Sequence, residues 1–338
     1  MKEILHKITS LKKTLTKEES KQTLIRISKG AYNNSQVVAF LTVYMMRSIT
    51  VEELSGFREA LLELCIATEF KGYNTIDLCG TGGDGKDTFN VSTLSSFIAA
   101  GAGIKVTKHG NYGVSSKCGS SNVLESLGIV FSNNKDYLTE CLETAGICIL
   151  HAPLFHPAMK YVAPFRKELA VKTFFNMLGP MVNPAFPTHQ MVGVFNLELA
   201  RKYSYIYQKT DKKYSILHAL DGYDEISLTS ATKVITNESE QLLEAKDFGV
   251  NPLSMDAIRG GATIKDSADI FLNVLHGKGS MAQNHVVCAN AGMAIATVEN
   301  ISPKEGFEKA KESLDSKKAL EAFTTLQKMG QKLSNNSI

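Results

Sequence analysis

Asp77-Leu78-Cys79-Gly80-Thr81-Gly82-Gly83-Asp84-Gly85 begins in a β-rich run, Thr75-Ile76-Asp77-Leu78, and leads into a polar segment that opens a helix. Strand, glycine loop and helix in that order read as one βα unit of an α/β fold. The loop then sits at the strand's C-terminal end, where such folds bind ligands. Gly80, Gly82 and Gly85 spell G-x-G-x-x-G. A dinucleotide site needs an acid about 20 residues further on, but the next strand, Ile104-Lys105-Val106-Thr107-Lys108-His109, offers bases there. A P-loop fails as well, because Gly85-Lys86 is followed by Asp87 rather than Ser or Thr. The loop also carries Asp84. A carboxylate about 4 Å from a phosphate charge costs roughly 4 kcal/mol at an effective dielectric near ~20. Either the loop binds no phosphate, or a cation stands between acid and anion.

The residues that follow favour an anion. Asp87-Thr88-Phe89-Asn90-Val91-Ser92-Thr93 precedes the apolar helical run Leu94 to Ala100. Four neutral hydrogen-bonding side chains, Thr88, Asn90, Ser92 and Thr93, crowd a helix start that needs one cap, and free N–H groups at a helix N-terminus attract negative charge. A second loop of the same character, Lys108-His109-Gly110-Asn111-Tyr112-Gly113-Val114-Ser115-Ser116-Lys117-Cys118-Gly119-Ser120-Ser121-Asn122, follows the next strand. Two such loops at neighbouring strand ends suit a ligand with phosphates at both ends. Asp221-Gly222-Tyr223-Asp224-Glu225-Ile226-Ser227 follows the strand candidate Tyr214–Leu217. It reads as a surface acidic turn or as carboxylates that hold Mg²⁺ together with substrate oxygens. The second reading supplies the cation that the opening loop requires. Arg166 is either surface charge or a fork for a carboxylate ligand.

Residues 1 to about 68 read as helices only. Thr16-Lys17-Glu18-Glu19 and Thr50-Val51-Glu52-Glu53 fit the capping box, and Val37 to Met46 is apolar nearly all round. That helix is the centre of a small helical domain or meets another subunit as well. From Thr75, the runs Thr75–Leu78, Ile104–Thr107, Ile147–Leu150, Gln190–Val194 and Tyr214–Leu217 alternate with helical stretches, which predicts a mostly parallel sheet covered by helices. Six of the eight prolines lie between Pro153 and Pro187. They read as a stiff crossover between the helical part and the sheet rather than as a packed element. The 338 residues are 43% hydrophobic and 21% charged, ordinary globular values. A net charge of +3 is too small to imply nucleic acid or a membrane surface. The six cysteines have no metal-site spacing, and the N-terminus lacks the pattern of a signal peptide. A cytoplasmic protein without nucleic-acid or membrane partners is the expectation.

Taken together, Asp77–Asp84, Asn90-Val91-Ser92-Thr93, Lys108-His109-Gly110-Asn111, Phe175-Asn176-Met177-Leu178-Gly179-Pro180-Met181-Val182-Asn183-Pro184 and Asp221–Ser227 resemble the anthranilate phosphoribosyltransferases of tryptophan biosynthesis. The resemblance runs in order from the N-terminal helices to about Ala296. It implies transfer of phosphoribose from 5-phosphoribosyl 1-diphosphate to the amine of anthranilate, with release of diphosphate. It also implies a small helical domain (1–70, joined by part of the 160–190 crossover) on a larger α/β domain (71–338), paired as a homodimer through the helical domains. By the same likeness, Gly80, Gly83, Asp84, Thr88, Asn90, Val91, Ser92 and Thr93 bind the donor. So do Lys108, His109, Gly110, Asn111, Tyr112, Gly113, Val114, Ser115, Ser116 and Ser120. Gly80, Asn111 and Arg166 contact anthranilate, and Ser92, Asp224 and Glu225 hold Mg²⁺. The chain departs from the family pattern at Tyr112, Ser121, Asn122, Lys172 and Ala219. A nucleoside phosphorylase of related architecture would use free phosphate and no metal-bound diphosphate. A non-catalytic nucleic-acid-binding relative would show a basic stripe and lack the acids.

Overall fold

The computed structural model describes residues 1–113, 118–169 and 171–335. Four helices come first: α1 (Lys2–Thr9), α2 (Lys17–Ser28), α3 (Asn34–Met46) and α4 (Val51–Leu64). Both capping boxes form. The Glu19 and Glu53 N–H groups donate to Thr16 and Thr50 Oγ1 at 3.1 and 3.2 Å, and the threonine N–H groups donate back to the glutamates. Each cap is worth about 1 kcal/mol. Helix α3 buries Val37, Phe40, Leu41 and Tyr44, while Ala39, Met45 and Met46 stay exposed, Met46 by 84%. Within one chain, therefore, only one side of this apolar helix finds a partner.

Strands and helices then alternate: β1 (Thr75–Gly80), α5 (Val91–Gly101), β2 (Lys105–Gly110), α6 (Ser120–Ser126), α7 (Lys135–Thr144), β3 (Ile147–His151), α8 (Ala152–Phe155) and α9 (Met159–Leu169). After them come β4 (His189–Gly193), α10 (Leu197–Tyr207), β5 (Lys213–Ala219), β6 (Thr232–Thr236), β7 (Glu240–Leu243), α11 (Ile264–Leu275), α12 (Met281–Glu299), α13 (Pro303–Asp315) and α14 (Lys318–Asn335). Among the described residues these strands make one sheet in the order β3-β2-β1-β4-β5-β6-β7. The first five are parallel; β6 and β7 add an antiparallel edge that the sequence reading passes over.

The chain lays β1, β2 and β3 outward in one direction, then returns to place β4 on the other side of β1. Strand order reverses there, which opens a crevice beyond the C-terminal ends of β1 and β4. Gly80 and Gly193 are register partners at those two ends. Alternate residues of each strand feed two cores, as the two-residue side-chain period requires. Leu78, Met191 and Leu217 join α5, α11 and α12 on one face. Val192 and Ile216 join α10 and the N-terminal helices on the other.

The proline-rich crossover is a packed element, which corrects the stiff-connection expectation. Pro164 lies inside α9, and Val162 and Phe165 of that helix are buried in the same core as α2, α3 and α4. Phe174 follows and stacks on Phe57 of α4 with ring centroids 4.4 Å apart. Pro164 forfeits one helix hydrogen bond, toward Lys160. Full burial of an aromatic side chain contributes about 1.5–3 kcal/mol, so the two phenylalanines offset that loss.

Candidate active site

The opening loop and the acidic turn meet in the crevice. The Gly82 N–H donates to Asp224 Oδ2 at 2.7 Å, and Asp84 shares a hydrogen bond with Asp224. Asp84 also accepts the Lys86 N–H at 3.0 Å. Glu225 lies close enough to the Thr88 side chain and the Ser92 backbone N–H, at the start of α5, for both to favour its charged form. Gly193 makes this approach possible, because a Cβ there would overlap the Asp224 carbonyl oxygen. Burial, and then the Asp84 charge beside it, pushes Asp224 up to about 7. Glu225 is held well above the usual carboxylate range by burial and by both aspartates, and burial raises Asp84.

Three neighbouring carboxyls, all raised by burial and two of them also by neighbouring charge, fit a divalent cation. Among the described residues, no three acidic, histidine or cysteine side chains close into a protein-only metal cage. Few carboxylates facing an open glycine loop is the pattern by which Mg²⁺ is held with substrate oxygens completing its shell. Ser92, Asp224 and Glu225 lie near one another at this point, and Asp84 adjoins the group beside Asp224.

The start of α5 carries the unused hydrogen-bonding capacity. Asn90 occupies the N-cap position without capping; its Nδ2 donates instead to the Cys118 carbonyl at 3.1 Å, tying the two glycine loops together. The Thr81 and Thr93 hydroxyls are buried with no partner among the described residues. In the second loop, Ser120 Oγ donates to the Asn111 carbonyl at 3.2 Å, and Asn122 Oδ1 accepts from the Gly113 and Gly119 N–H groups. Tyr112 hydrogen-bonds Glu125 at 3.2 Å, Ser121 meets His151 Nδ1 at 2.9 Å, and the Lys172 ammonium reaches the Gly83 carbonyl. The residues that depart from the family pattern at 112, 121, 122 and 172 thereby brace the loops. Lys108 is buried, its ammonium donating to the Leu78 carbonyl at 2.8 Å with Glu225 near enough to influence it. Val114, Ser115 and Ser116 lie outside the described residues.

Beside the crevice, His109 Nδ1 lies 3.1 Å from the Gly179 carbonyl, while its Nε2 is buried and unpartnered among the described residues. His156, which the sequence reading missed, packs its ring 5.3 Å from that of His109, with both nitrogens buried and at most a weak contact to the Val182 backbone. Burial lowers His109 to about 4 and His156 to about 3. Both are therefore neutral at pH 7. The unfolded chain takes up protons near pH 6.5 that the folded chain refuses. Stability is thus complete above that pH and declines as the pH falls toward 4, by about 1.4 kcal/mol per unit for each histidine. Urea unfolding at pH 7, 6 and 5 will show this decline, and His156→Leu will remove about half of the two-histidine share. An unchanged slope in the variant rejects the buried neutral pair.

Arg166, on α9, lays its guanidinium over the Phe175 ring at 5.5 Å, and burial lowers its pKa. No hydrogen bond or ion pair to another described residue holds it, which leaves its fork available. The sequence reading also missed the segment around Arg259. Thr88 pairs with Arg259, and the Gly260 N–H donates to the Asp87 carbonyl at 2.6 Å, so this strand-like stretch lies against the start of α5. The triplet Arg259-Gly260-Gly261 was the available signal.

Known proteins resemble this chain along nearly its whole length. A family model described as the glycosyl transferase family, a/b domain, matches residues 72–320, and its helical bundle domain matches residues 2–65. The anthranilate phosphoribosyltransferase of Christiangramia forsetii is 66% identical over 331 residues, covering 98% of this chain and 100% of that one. The enzyme of the same name from Flavobacterium psychrophilum is 67% identical over 329 residues, 97% and 99% of the two chains. Among solved structures, anthranilate phosphoribosyltransferase from Thermus thermophilus superposes with a TM-score of 0.87 at 29% identity, covering 97% of this chain and 99% of that one. The Saccharomyces cerevisiae enzyme in complex with PRPP and Mg gives 0.86 at 26% identity over 94% of each chain.

Proposed function

The chain belongs to the anthranilate phosphoribosyltransferase family of glycosyl transferases, and on that premise we propose which residues serve its reaction, the transfer of phosphoribose from 5-phosphoribosyl 1-diphosphate to the amine of anthranilate. The observation that carries the assignment is the meeting of three segments at the crevice between β1 and β4. These are the Gly80–Gly85 loop, the start of α5 and the Asp224-Glu225 turn.

The donor lies along the two glycine loops. Asn90, Val91, Ser92 and Thr93, at the start of α5, face its phosphates at the positive end of the helix dipole. Gly80, Gly83 and Thr88 line the diphosphate side, and Lys108 to Ser116 with Ser120 line the rest. Ser92, Asp224 and Glu225 hold Mg²⁺, with Asp84 acting through Asp224. Bound there, Mg²⁺ neutralises charge on the departing diphosphate. The helix terminus and loop amides are fixed before the reaction, so they stabilise that anion without reorganising. The aromatic amine is already neutral at pH 7, and no single acid–base residue is required.

Gly80, Asn111 and Arg166 form the anthranilate side, with Arg166 toward the carboxylate. Arg166→Ala will raise the KM for anthranilate by about 10- to 100-fold, the 1.5–3 kcal/mol of a charge-assisted hydrogen-bonded pair. The KM for the donor will hardly move. Lysine at 166 will restore part of the loss, because it keeps the charge without the fork. An anthranilate KM within about twofold of wild type removes Arg166 from the site.

The same proposal divides the chain near residue 70, with α9 and part of the 160–190 crossover belonging to the helical part. The exposed apolar side of α3 supports pairing of two chains there, and light scattering that gives the mass of one chain rejects it. No helix among the described residues is long and apolar enough to cross a membrane, and the six cysteines are unpaired, which accords with a cytoplasmic site of action. The decisive test of the function is anthranilate fluorescence, followed with the donor and Mg²⁺. No consumption by folded protein overturns it, and turnover of a nucleoside with free phosphate instead favours the phosphorylase alternative.

A further inference from the structure

Asn290 is a buried polar side chain that the reaction leaves unused. It sits in the middle of α12, 2% exposed, and all of its bonds stay inside the protein. Its Oδ1 accepts the Ile226 N–H at 3.0 Å. Its Nδ2 donates to the Ile226 carbonyl and to the Val286 carbonyl, each at 2.9 Å. One carboxamide thus grips both polar groups of a single loop residue, as a neighbouring strand would. Such a grip fixes the residue in rotation as well as in position. Ile226 directly follows Asp224 and Glu225.

Helix α12 holds the other half of the site too. The Ser95 hydroxyl of α5 donates to the Val287 carbonyl at 3.1 Å. Ser95 lies one turn beyond Ser92, whose backbone N–H is near enough to Glu225 to favour its charged form. A single helix therefore fixes α5 through Val287 and the acidic turn through Asn290, three residues apart. Helix α12 is buried over most of its length, and an asparagine is a poor helix former. Its bonds to Ile226 offset that helix cost, because without them a buried N–H and carbonyl would lose their partner.

We propose that Asn290 is a positioning residue that sets the Asp224-Glu225 turn at its working distance from the start of α5. This rests on the assignment of Ser92, Asp224 and Glu225 to Mg²⁺. Partners that orient metal ligands from behind change metal affinity by about 10- to 100-fold when removed.

The test uses Asn290→Asp, which keeps the acceptor and loses the donor, and Asn290→Ser, which loses the grip but leaves a small hydroxyl. In steady-state turnover both will raise half-saturating Mg²⁺ by about tenfold or more while the KM for anthranilate stays within about twofold. Calorimetric titration with magnesium diphosphate will show the same weakening, and its stoichiometry counts folded sites, so partial misfolding does not mimic the effect. Cys288→Ala on the same buried helix will lower the melting temperature and leave both readings in place. Asn290 variants that melt early but keep wild-type Mg²⁺ half-saturation and diphosphate affinity overturn the proposal. Wild-type protein that binds no magnesium diphosphate overturns the metal assignment itself, and the role of Asn290 with it.

Discussion

Replacing Asp224 and Glu225 together by alanine is expected to lower turnover by about three orders of magnitude or more, at saturating Mg²⁺ and donor. The protein will stay folded. Both carboxylates are raised toward neutrality by burial and then by charge, Asp224 by Asp84 and Glu225 by Asp224 and Asp84. Such groups cost stability when no cation balances them. Without Mg²⁺, the double variant will therefore melt no lower than wild type, whereas Mg²⁺ with diphosphate will stabilise only wild type. Asp84→Asn touches the same group through one hydrogen bond and will cost less, about tenfold in turnover. The three effects separate the acids as ligands from the acids as packing. A double variant with wild-type turnover at saturating Mg²⁺ refutes the metal assignment.

The parts of the site legible in the sequence are those built from local pattern. The strand, glycine loop and polar helix start around Gly80 announce a βα ligand loop because each signal is confined to a few residues. Thr16 and Thr50 announce helix starts for the same reason. The pairing of Asp84 with Asp224 was legible only as a physical need: a loop acid near phosphate demands a cation, and Asp224-Glu225 was a place to seek one. His156, Gly193 and Asn290 were not legible. Each acts on residues far away in the chain: His156 on His109, Gly193 on Asp224, Asn290 on Ile226. Only the packing of β4, the crossover and α12 brings them together. The antiparallel edge escaped for another reason: β6 and β7 are short, and Glu240–Leu243 is mostly exposed, so no apolar run marks it. Pro164 misled because a proline in the second turn of a helix removes only one hydrogen bond, and apolar burial on α9 outweighs it.

Gly193→Ala is expected to lower turnover by about 100-fold or more, although residue 193 touches no substrate by its own side chain. The added Cβ would overlap the carbonyl oxygen of Asp224, so either β4 or the acidic turn must move. The end of β4 is held on both sides. Thr81 N–H donates to the Gly193 carbonyl at 2.9 Å, and Val194 N–H to the Leu217 carbonyl at 2.9 Å. The turn is anchored after the acids by Asn290 on Ile226, and further on by the Leu253 N–H donating to the Leu228 carbonyl at 2.9 Å. Leu228 itself adopts a φ of 59°, which non-glycine residues rarely accept. The turn is thus the less regular of the two neighbours and will yield first, carrying Asp224 and Glu225 outward from Ser92. The accommodation costs about 1–3 kcal/mol of stability, as an overpacked site does. That is small beside the expected loss of catalysis: under the proposed metal assignment, carboxylates displaced by about 1 Å would hold Mg²⁺ poorly. The signature is a sharp fall in turnover and in magnesium diphosphate affinity with a melting temperature only a few degrees lower. If Gly193→Ala instead unfolds the protein while its few folded molecules keep wild-type affinity, the strand yields rather than the turn. The close approach of β4 to Asp224 then serves the fold and not the site.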